Sequence, residues 1–281
     1  MLLGVHVSGE GKIYKALERA HDLGCNTMQV FSRSPQRWRE SFILPEDIEE
    51  FRVRRTKYRI KPVFIHVPYL INLASPNLGL YEASIEAYIE DILEAQAMGA
   101  DYIVTHMGSH KDTSEEAGIK RFIEALNIIV EKTNNSSVGI LLENTSGSGS
   151  WLGYTFSHHK KILQGVVNNE RIGLCLDTAH AYLAGYDIAK SQGIKNLIAE
   201  IDEMAGLNRL RLIHLNDAKE KLGSHHDRHA HIGKGYIGLN GIKLIINHPQ
   251  LKNKAFILET PKDSEDADRI NLETVRKLAR S

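Results

Sequence analysis

Nine side chains of the types that bind divalent metal ions stand where apolar segments of this sequence end. Five are histidines, two are aspartates and two are glutamates. From the third apolar run onward, each run closes on at least one of them, and a histidine-rich loop supplies two more. Imidazole and carboxylate groups without thiolate suit Zn²⁺, Mn²⁺ or Fe²⁺. The set comprises His66, His106, Glu143, Asp177, His180, His214, Asp227, His229 and Glu259.

The spacing of these residues indicates that they share one end of a barrel. The steps from His66 through His106, Glu143, Asp177, His214 and Glu259 are 40, 37, 34, 37 and 45 residues. One strand–helix unit of an α/β barrel takes about that many residues. Each successive strand therefore brings a polar side chain to the same end. Burying these carboxylates unpaired would be costly, so the pattern predicts bound metal.

Two short motifs extend the set beyond what one ion needs. Asp177-Thr-Ala-His180 carries a second ligand three residues past a strand end, and Asp227-Arg-His229 places alternate side chains on one side of an extended segment. Zinc takes about four or five ligands, so nine protein ligands predict two or three ions. Closely spaced ions suit phosphate-ester hydrolysis, in which a metal-activated hydroxide attacks and other ions hold the attacked and leaving oxygens.

The elements that must position these residues alternate along the chain. Eight apolar runs are separated by amphipathic stretches with helical spacing, such as 80–98, where Ile85, Tyr88, Ile89, Ile92 and Leu93 share a face. This alternation over 281 residues predicts one domain, 1–281, folded as a (β/α)₈ TIM barrel with its active site at the C-terminal ends of the strands. A doubly wound open sheet is the alternative. The longer connections are predicted at 33–44, 68–79, 145–157 and 217–237.

Composition limits the functional classes. The formal net charge is zero, so any contact with nucleic acid must come from a local basic surface. The two cysteines lie in apolar runs and favour a reducing compartment. The N-terminus has neither a charged leader nor a long apolar stretch, and no segment reaches the roughly 18 apolar residues of a membrane span. A cytoplasmic protein without a membrane partner is expected.

The remaining histidines and Cys175 have weaker signals. His6 ends the first strand and is expected to support a ligand rather than to be one. Cys175 is expected in the core. Solvated or polar loops without a catalytic role are predicted for His110, His158, His159, His225, His226 and His231.

Two loops on the metal side have the composition of a nucleic-acid interface. The segment SRSPQRWRE combines Arg33, Gln36, Arg37 and Arg39 with Trp38, and arginine beside a stacking ring suits phosphates and bases. The segment HVPYLINLASP places Tyr69 and Leu70 just past His66, where apolar wedges could enter a base stack. The alternative for the second loop is packing on the barrel rim.

These motifs resemble the endonuclease IV family of apurinic/apyrimidinic endonucleases over essentially the whole chain. The matching stretches are GVHVS at 4–8, HVPYLINLA at 66–74, THMGSH at 105–110, LLENTSGSGS at 141–150, CLDTAHAYLAGYD at 175–187, HLNDAK at 214–219, DRHAHIGKG at 227–235 and ILET at 257–260. The resemblance implies a DNA-repair deoxyribonuclease that cleaves duplex DNA 5′ to abasic sites. It would leave a 3′-hydroxyl and a 5′-deoxyribose phosphate, trim blocked 3′ ends, and act as a monomer at the nucleoid.

The resemblance also implies three zinc ions per chain, with Mn²⁺ or Fe²⁺ as alternatives at some positions. His66, His106 and Glu143 would hold the first. Glu143, which would also be catalytic, would bridge to a second held by Asp177, His214 and Glu259, and the third would take His180, Asp227 and His229. Tyr69 and Leu70 align with the pair that penetrates the duplex. In SPQRW, the intercalating role falls on Gln36 or Arg37, with uncertain register.

Two other functions remain open at this stage. Metal-dependent sugar isomerases and dehydratases share the barrel, although they need fewer ligands and have no use for an arginine–aromatic loop. A non-enzymatic module that recognises DNA lesions is the second, and nine intact ligands argue against it.

Overall fold

Eight parallel strands form the centre of the protein. The computed structural model describes residues 1–33, 38 and 43–280. In chain order the barrel strands are β1 (Leu2–Val5), β2 (Met28–Phe31), β3 (Val63–His66), β4 (Tyr102–His106), β5 (Gly139–Glu143), β6 (Ile172–Asp177), β7 (Leu210–His214) and, after two short strands described below, β10 (Ala255–Leu258). They are hydrogen-bonded in the order β1-β10-β7-β6-β5-β4-β3-β2.

Hydrogen bonds between β1 and β2 close the sheet into a ring. Asn26 N donates to Leu3 O at 3.2 Å, and Val7 N donates to Gln29 O at 2.8 Å. Gly4 makes this close approach possible, because a Cβ at that position would lie 1.9 Å from Thr27 O. The predicted (β/α)₈ barrel is therefore confirmed, and the open doubly wound sheet is wrong.

Helices cover the outside of the barrel. They are α1 (Lys15–Asp22), α2 (Pro45–Tyr58), α3 (Leu78–Met98), α4 (Glu115–Lys132), α5 (Phe156–Gly165), α6 (Thr178–Leu183), α7 (Ser191–Ala205), α8 (Gly238–Asn247) and α9 (Ala267–Arg280). Polar residues define several starts: the side chains of Asn77, Ser114 and Thr155 accept hydrogen bonds from first-turn amides of α3, α4 and α5. No helix in the described part of the chain is long and apolar enough to cross a membrane.

The protein has two apolar cores, one outside the barrel wall and one inside it. The larger lies between strands and helices. The smaller is inside the barrel, where side chains alternate along each strand, and consists of Phe64, Val104, Leu141, Cys175, Leu212, Ala255 and Ile257. Each of the six strand-end ligand residues follows one of these inward-facing residues by two positions. The metal-ligand residues therefore form the top layer of the barrel interior.

The sequence did not predict three features at the C-terminal end of the barrel. One is the short helix α6. The others are β8 (Asp217–Ala218) and β9 (His229–Ala230), which pair antiparallel within the long connection after β7. A further difference concerns α3, where Leu93 is 51% exposed although Ile85, Tyr88 and Ile92 of its predicted face are buried.

Candidate metal centre

The candidate ligand side chains converge at the C-terminal end of the barrel. Six extend the inner layer of strands β3, β4, β5, β6, β7 and β10. His180 comes from α6, and Asp227 and His229 come from the β8–β9 connection. Side-chain donor atoms lie within 4.8 Å of one another in three relevant groups: His66 with His106 and Glu143; Glu143 with Asp177, His214 and Glu259; and Asp177 with His180 and His229.

Glu143 joins the first two groups. Its Oε2 lies 3.0 Å from Nε2 of both His66 and His106, and its Oε1 lies 2.9 Å from Nδ1 of His214. The side chain is fully buried. A carboxylate whose two oxygens face different imidazoles has the geometry of a bridging ligand.

Asp227 adds to the third group from the solvent side. Its Oδ1 lies 3.1 Å from His180 Nε2 and 3.6 Å from His229 Nε2. Asp177 reaches the same group from below, with Oδ2 3.7 Å from His229 Nε2. The Asp227 side chain is 45% exposed, whereas Glu143 and Asp177 are fully buried. The third group is therefore the one nearest to solvent.

Asp177 also fixes where His180 lies. It is the N-cap of α6, and its Oδ1 accepts a hydrogen bond from His180 N at 2.7 Å. A capping side chain holds the amide two or three residues further along the first turn. The Asp-Thr-Ala-His spacing is thus a helix start that places both side chains at one site.

Backbone carbonyls orient three of the histidine rings. Nδ1 of His66 lies 2.7 Å from Val67 O, Nδ1 of His180 lies 2.9 Å from Asn144 O, and Nδ1 of His229 lies 3.0 Å from Glu259 O. A carbonyl oxygen only accepts, so each Nδ1 carries a hydrogen, and Nε2 is the ring nitrogen that faces the carboxylates and is left for a metal ion. Metal-binding histidines usually have this arrangement.

A buried nitrogen provides the most direct sign that these residues fit a metal. His229 Nε2 is buried and has no hydrogen-bond partner among the described residues, yet Asp177 and Asp227 approach it to 3.7 and 3.6 Å. A buried polar atom without a partner is costly. An ion between these groups would satisfy His229 Nε2 and neutralise the carboxylates, so the residues present fit divalent metal.

The charges of the cluster are strongly coupled. Burial alone would raise the pKa of Glu143, but His106 and His214 outweigh it and hold that pKa well below its usual range. Burial would likewise lower the pKa of His180, but Asp177 and Asp227 raise it well above its usual value. Without an ion, the carboxylates therefore stay ionised beside a protonated His180, and a metal that binds there would displace this proton.

Several supporting residues were missed in the sequence, and Gln29 is the clearest. It is fully buried on β2. Its Oε1 lies 2.8 Å from His214 Nε2, and its Nε2 donates to Glu259 Oε1 at 2.6 Å. His6 supports Glu259 as expected, with Nδ1 2.9 Å from Oε1. A glutamine inside an apolar strand run was the available signal for Gln29.

Asn216 ties two candidate ligands together. Its Nδ2 donates to Asp177 Oδ2 at 2.6 Å, and its Oδ1 accepts from Glu259 N at 2.8 Å. It lies two residues past His214, so the HLND motif supplies a ligand and a ligand-orienting amide from one short segment.

Of the proposed DNA-contacting residues, Tyr69 and Leu70 are described near the candidate metal centre, and three others are not among the described residues. Tyr69 is 63% exposed, and its ring lies 6.5 Å from that of His106; Leu70 is half-buried beside it. Gln36, Arg37 and Arg39 lie outside the described residues. Trp151, which the sequence reasoning missed, has its ring 5.8 Å from that of His106 on the opposite loop.

Arg33 is placed differently from expectation. Its guanidinium donates to Asp91 Oδ1 at 2.5 Å, to Ala87 O at 3.1 Å and to Trp38 O at 3.0 Å. Only 8% of the side chain is exposed, and Asp91 is fully buried. The arginine is therefore occupied by helix α3 and its own loop, because burial of Asp91 requires a partner for the charge.

Three other expectations can be compared with the structure. Cys175 is in the core, as predicted, and burial raises the pKa of its thiol to about 12. The prediction of polar loops for His158 and His159 was wrong, because both lie buried in α5. His225 and His226 are exposed, whereas His231 is half-buried and contacts Asp263.

Comparison with known proteins places this fold and site in a class. The sequence model of the family described as a xylose isomerase-like TIM barrel matches residues 17–280. D-Psicose 3-epimerase from Clostridium cellulolyticum H10 is similar in fold alone, with a TM-score of 0.74 and 13% identity over 100% of this chain and 98% of that chain. The protein is thus a barrel of this class.

Within that class, the chain belongs to the endonuclease IV family. It is 42% identical over 279 residues to the probable endonuclease 4 of Methanoculleus marisnigri, covering 99% of each chain. It is also similar to the crystal structure of endonuclease IV from Thermus thermophilus, with a TM-score of 0.88 and 33% identity over 100% of this chain and 99% of that chain. Family membership thus rests on sequence and structure across the whole length.

Proposed function

We propose that this protein is a DNA-repair endonuclease of the endonuclease IV type. It hydrolyses the phosphodiester 5′ to abasic sites in duplex DNA, leaving a 3′-hydroxyl and a 5′-deoxyribose phosphate, and it trims blocked 3′ ends. The observation that supports this most is the convergence of nine ligand side chains in three adjoining groups that share Glu143 and Asp177. All nine come from one chain, so a monomer holds the complete site.

The metal assignment follows the three groups. His66, His106 and Glu143 would hold the first ion. Glu143, Asp177, His214 and Glu259 would hold the second, and His180, Asp227 and His229 would hold the third. Zinc fits a nitrogen and oxygen donor set, with Mn²⁺ or Fe²⁺ as alternatives at some positions. Ions bound there would supply positive charge for the phosphate oxygens and lower the pKa of water.

The chain's own residues prepare the site for this chemistry. Glu143 fixes the separation of the first two groups, because each of its oxygens faces different histidines. Gln29 and Asn216 hold His214, Glu259 and Asp177 in the orientations required for binding. Such preorganised charge is usually the largest contribution to rate.

Lesion recognition is assigned to the rim of the barrel. Tyr69 lies beside His106. Together with Leu70, it would fill the stack where a base is missing, so that the bare sugar could turn towards the metal-ligand groups. Extruding a nucleotide is easiest where no base pair must be broken. Gln36, Arg37 and Arg39 complete the proposed interface through phosphate contacts and insertion. Arg33 is not included in this interface, because it pairs with Asp91 of α3.

The sugar isomerase alternative is less well supported by the site. The third group, with Asp227 and His229 on a dedicated hairpin, exceeds what a single-metal isomerase needs. A cleavage assay separates the functions: the protein is incubated with a duplex that carries one abasic analogue, and in parallel with a panel of ketoses. Incision 5′ to the analogue with a 3′-hydroxyl product is expected. Epimerised sugar, or a lyase product with an unsaturated 3′ sugar, would contradict the proposal.

The Glu143→Gln variant tests the role of the shared carboxylate. We expect a rate loss of at least about 10²-fold, the scale for removing one key electrostatic group, with binding to abasic DNA retained. Glu82→Gln on the exposed face of α3 is the matched control and should behave like the parent. Normal turnover by Glu143→Gln would rule out this role.

The Tyr69→Ala, Leu70→Ala double variant tests the interface. It should raise KM and weaken discrimination against intact duplex without changing metal content. Val167→Ala, also exposed but after α5 at the opposite end of the barrel, is the control. Parent-like discrimination by the double variant would mean that the loop merely packs on the rim.

A further inference from the structure

A glycine-rich turn before α8 surrounds a carboxylate of the protein itself. The segment Gly233-Lys234-Gly235-Tyr236-Ile237-Gly238 has the glycine spacing of loops that bind phosphate at a helix start. Here its amides converge on Asp217: Gly233 N and Gly235 N donate to Oδ2 at 2.9 and 3.0 Å, and Ile237 N donates to Oδ1 at 2.9 Å. The position that a phosphate would take is filled.

Two more amides complete the arrangement. Ala218 N donates to Asp217 Oδ1 at 2.9 Å, and Gly238 N lies 3.2 Å from Oδ2. Asp217 is fully buried, and none of the ion pairs found among the described residues includes it. Its negative charge is thus stabilised by backbone N–H groups, which bind carboxylates strongly where water is excluded.

The fit around the carboxylate is tight. A Cβ at Gly235 would lie 2.3 Å from Ala218 O and 2.5 Å from Asp217 Oδ1. Gly233 and Gly238 have φ values of +79° and +68°. Residues other than glycine adopt such backbone angles only with strain. The turn is therefore shaped to hold Asp217 rather than a diffusible ligand.

Asp217 contacts the chain on the C-terminal side of Asp227 through both its backbone and its carboxylate. Its backbone lies in β8, which pairs with β9 so that Asp217 faces Ala230 and Ala218 faces His229. Its carboxylate binds the 233–238 turn, which follows β9. These contacts fix the chain next to the two candidate ligands, of which Asp227 is itself 45% exposed.

We propose that Asp217 is a positioning residue whose carboxylate fixes the Asp227–His229 segment and so builds the third ligand group before any metal binds. This inference rests on the proposed function for the presence of a third ion. Its consequence is specific: losing the carboxylate should weaken one metal site and leave the other two as they are.

The Asp217→Asn variant tests this proposal by zinc titration against a competing chelator. An amide keeps the size of the side chain but replaces one acceptor oxygen with a donor that faces amides, so at least two hydrogen bonds are lost. We expect one of three zinc equivalents to bind about 10- to 100-fold more weakly, as for other residues that orient metal ligands. Lys221→Gln removes a charge at an exposed position of the same connection and should retain three tight equivalents.

Two results would overturn the proposal. One is parent-like affinity for all three zinc equivalents in Asp217→Asn, and the other is an equal weakening of all three, which would indicate general destabilisation. Neither readout depends on nuclease activity, so failure of the proposed function would be seen separately, in the cleavage assay.

Hydrogen exchange on the parent protein provides a test that needs no variant. If Asp217 organises the turn, the amides of residues 233, 235, 237 and 238 stay protected after all metal is removed with a chelator. If metal organises it, these amides lose their protection on chelation, and the proposal is wrong. This measurement decides the matter even where Asp217→Asn does not fold.

Discussion

At the residue scale, Arg33 shows how a basic residue that the sequence assigned to DNA binding can serve the fold instead. Its guanidinium is shared between Asp91, Ala87 O and Trp38 O. A buried carboxylate without its cation is strongly destabilising, by about 3–5 kcal/mol where such pairs have been broken. Arg33 therefore links the end of β2 and Trp38 O to helix α3.

The Arg33→Met variant should separate stability from DNA contact. Its free energy of unfolding should fall by about 3 kcal/mol or more, while the slope of DNA affinity against salt concentration stays that of the parent. Arg37→Met, by contrast, should make that slope shallower by the amount that one phosphate contact contributes, with little loss of stability. Urea unfolding and binding at several salt concentrations check both. A shallower salt slope in Arg33→Met would contradict this assignment and indicate that Arg33 contacts a phosphate.

His159 gives the protein a defined sensitivity to acid. It is fully buried on α5, stacked on Phe156 with ring centroids 4.9 Å apart. Burial lowers its pKa to about 3, whereas in the unfolded chain the value is about 6.5. Above the unfolded value the group has no effect. As the pH falls from there towards 3, only the unfolded state takes up a proton, so stability is lost.

The His159→Leu variant should remove this part of the acid sensitivity. At pH 5 the parent should have lost about 2 kcal/mol through His159, so the variant should lose less stability between pH 7.5 and pH 5. His226→Leu, at an exposed position, is the control and should follow the parent. Urea unfolding at the two pH values measures the difference. An identical loss in parent and His159→Leu would contradict this assignment.

At the element scale, the barrel closes at a seam that permits no side chain at Gly4. The added Cβ would lie 1.9 Å from the backbone oxygen of Thr27, just before β2, so β1 and β2 would have to separate. The seam matters for the site as well, because His6 follows β1 and Gln29 lies on β2, and both contact Glu259.

The Gly4→Ala variant should therefore lose stability at the upper end of the usual overpacking range, about 3 kcal/mol. Gly79→Ala on α3 is the matched control, since its nearest neighbour would be Asn77 Oδ1 at 3.6 Å and alanine favours helix. Thermal unfolding of both variants tests the prediction. Equal midpoints would show that the seam accommodates a methyl group.

At the scale of the whole molecule, the metal centre joins six of the eight barrel strands. Glu143, Asp177 and His214 are fully buried, so like charges among the carboxylates lie close together in a region with little water. Ligands that bind only the folded state stabilise it. The proposed ions should therefore support the barrel as well as the chemistry.

Removing the metals should lower the unfolding temperature and abolish incision, and zinc should restore both. Elemental analysis of the native protein should give about three metals per chain, if each ion takes three or four protein ligands. Calcium addition after chelation is the control for general ionic effects, because this oxygen-preferring ion should not restore incision. A reproducible content near one metal per chain with full activity would contradict the three-ion assignment.

The sequence by itself determined the barrel and the candidate ligand set. Strand-end positions repeat at the length of a strand–helix unit. This regularity is visible in the sequence because each ligand residue extends the inner face of its own strand. The match to the endonuclease IV family covers these same stretches. Helix faces were also predictable in outline, although Leu93 shows that a 3.6-residue period defines the width of a face poorly.

Only the tertiary structure decided which polar residues meet. Arg33 and Asp91 are 58 residues apart, and Gln29 and His214 are 185 apart, so no local pattern relates them. Burial periodicity reports that a side chain faces inward, but the partner that compensates its charge or hydrogen bonds depends on chain packing. The glycine-rich turn at 233–238 is a further example. Its glycine spacing is that of a phosphate-binding loop, but the tertiary structure places the Asp217 carboxylate there.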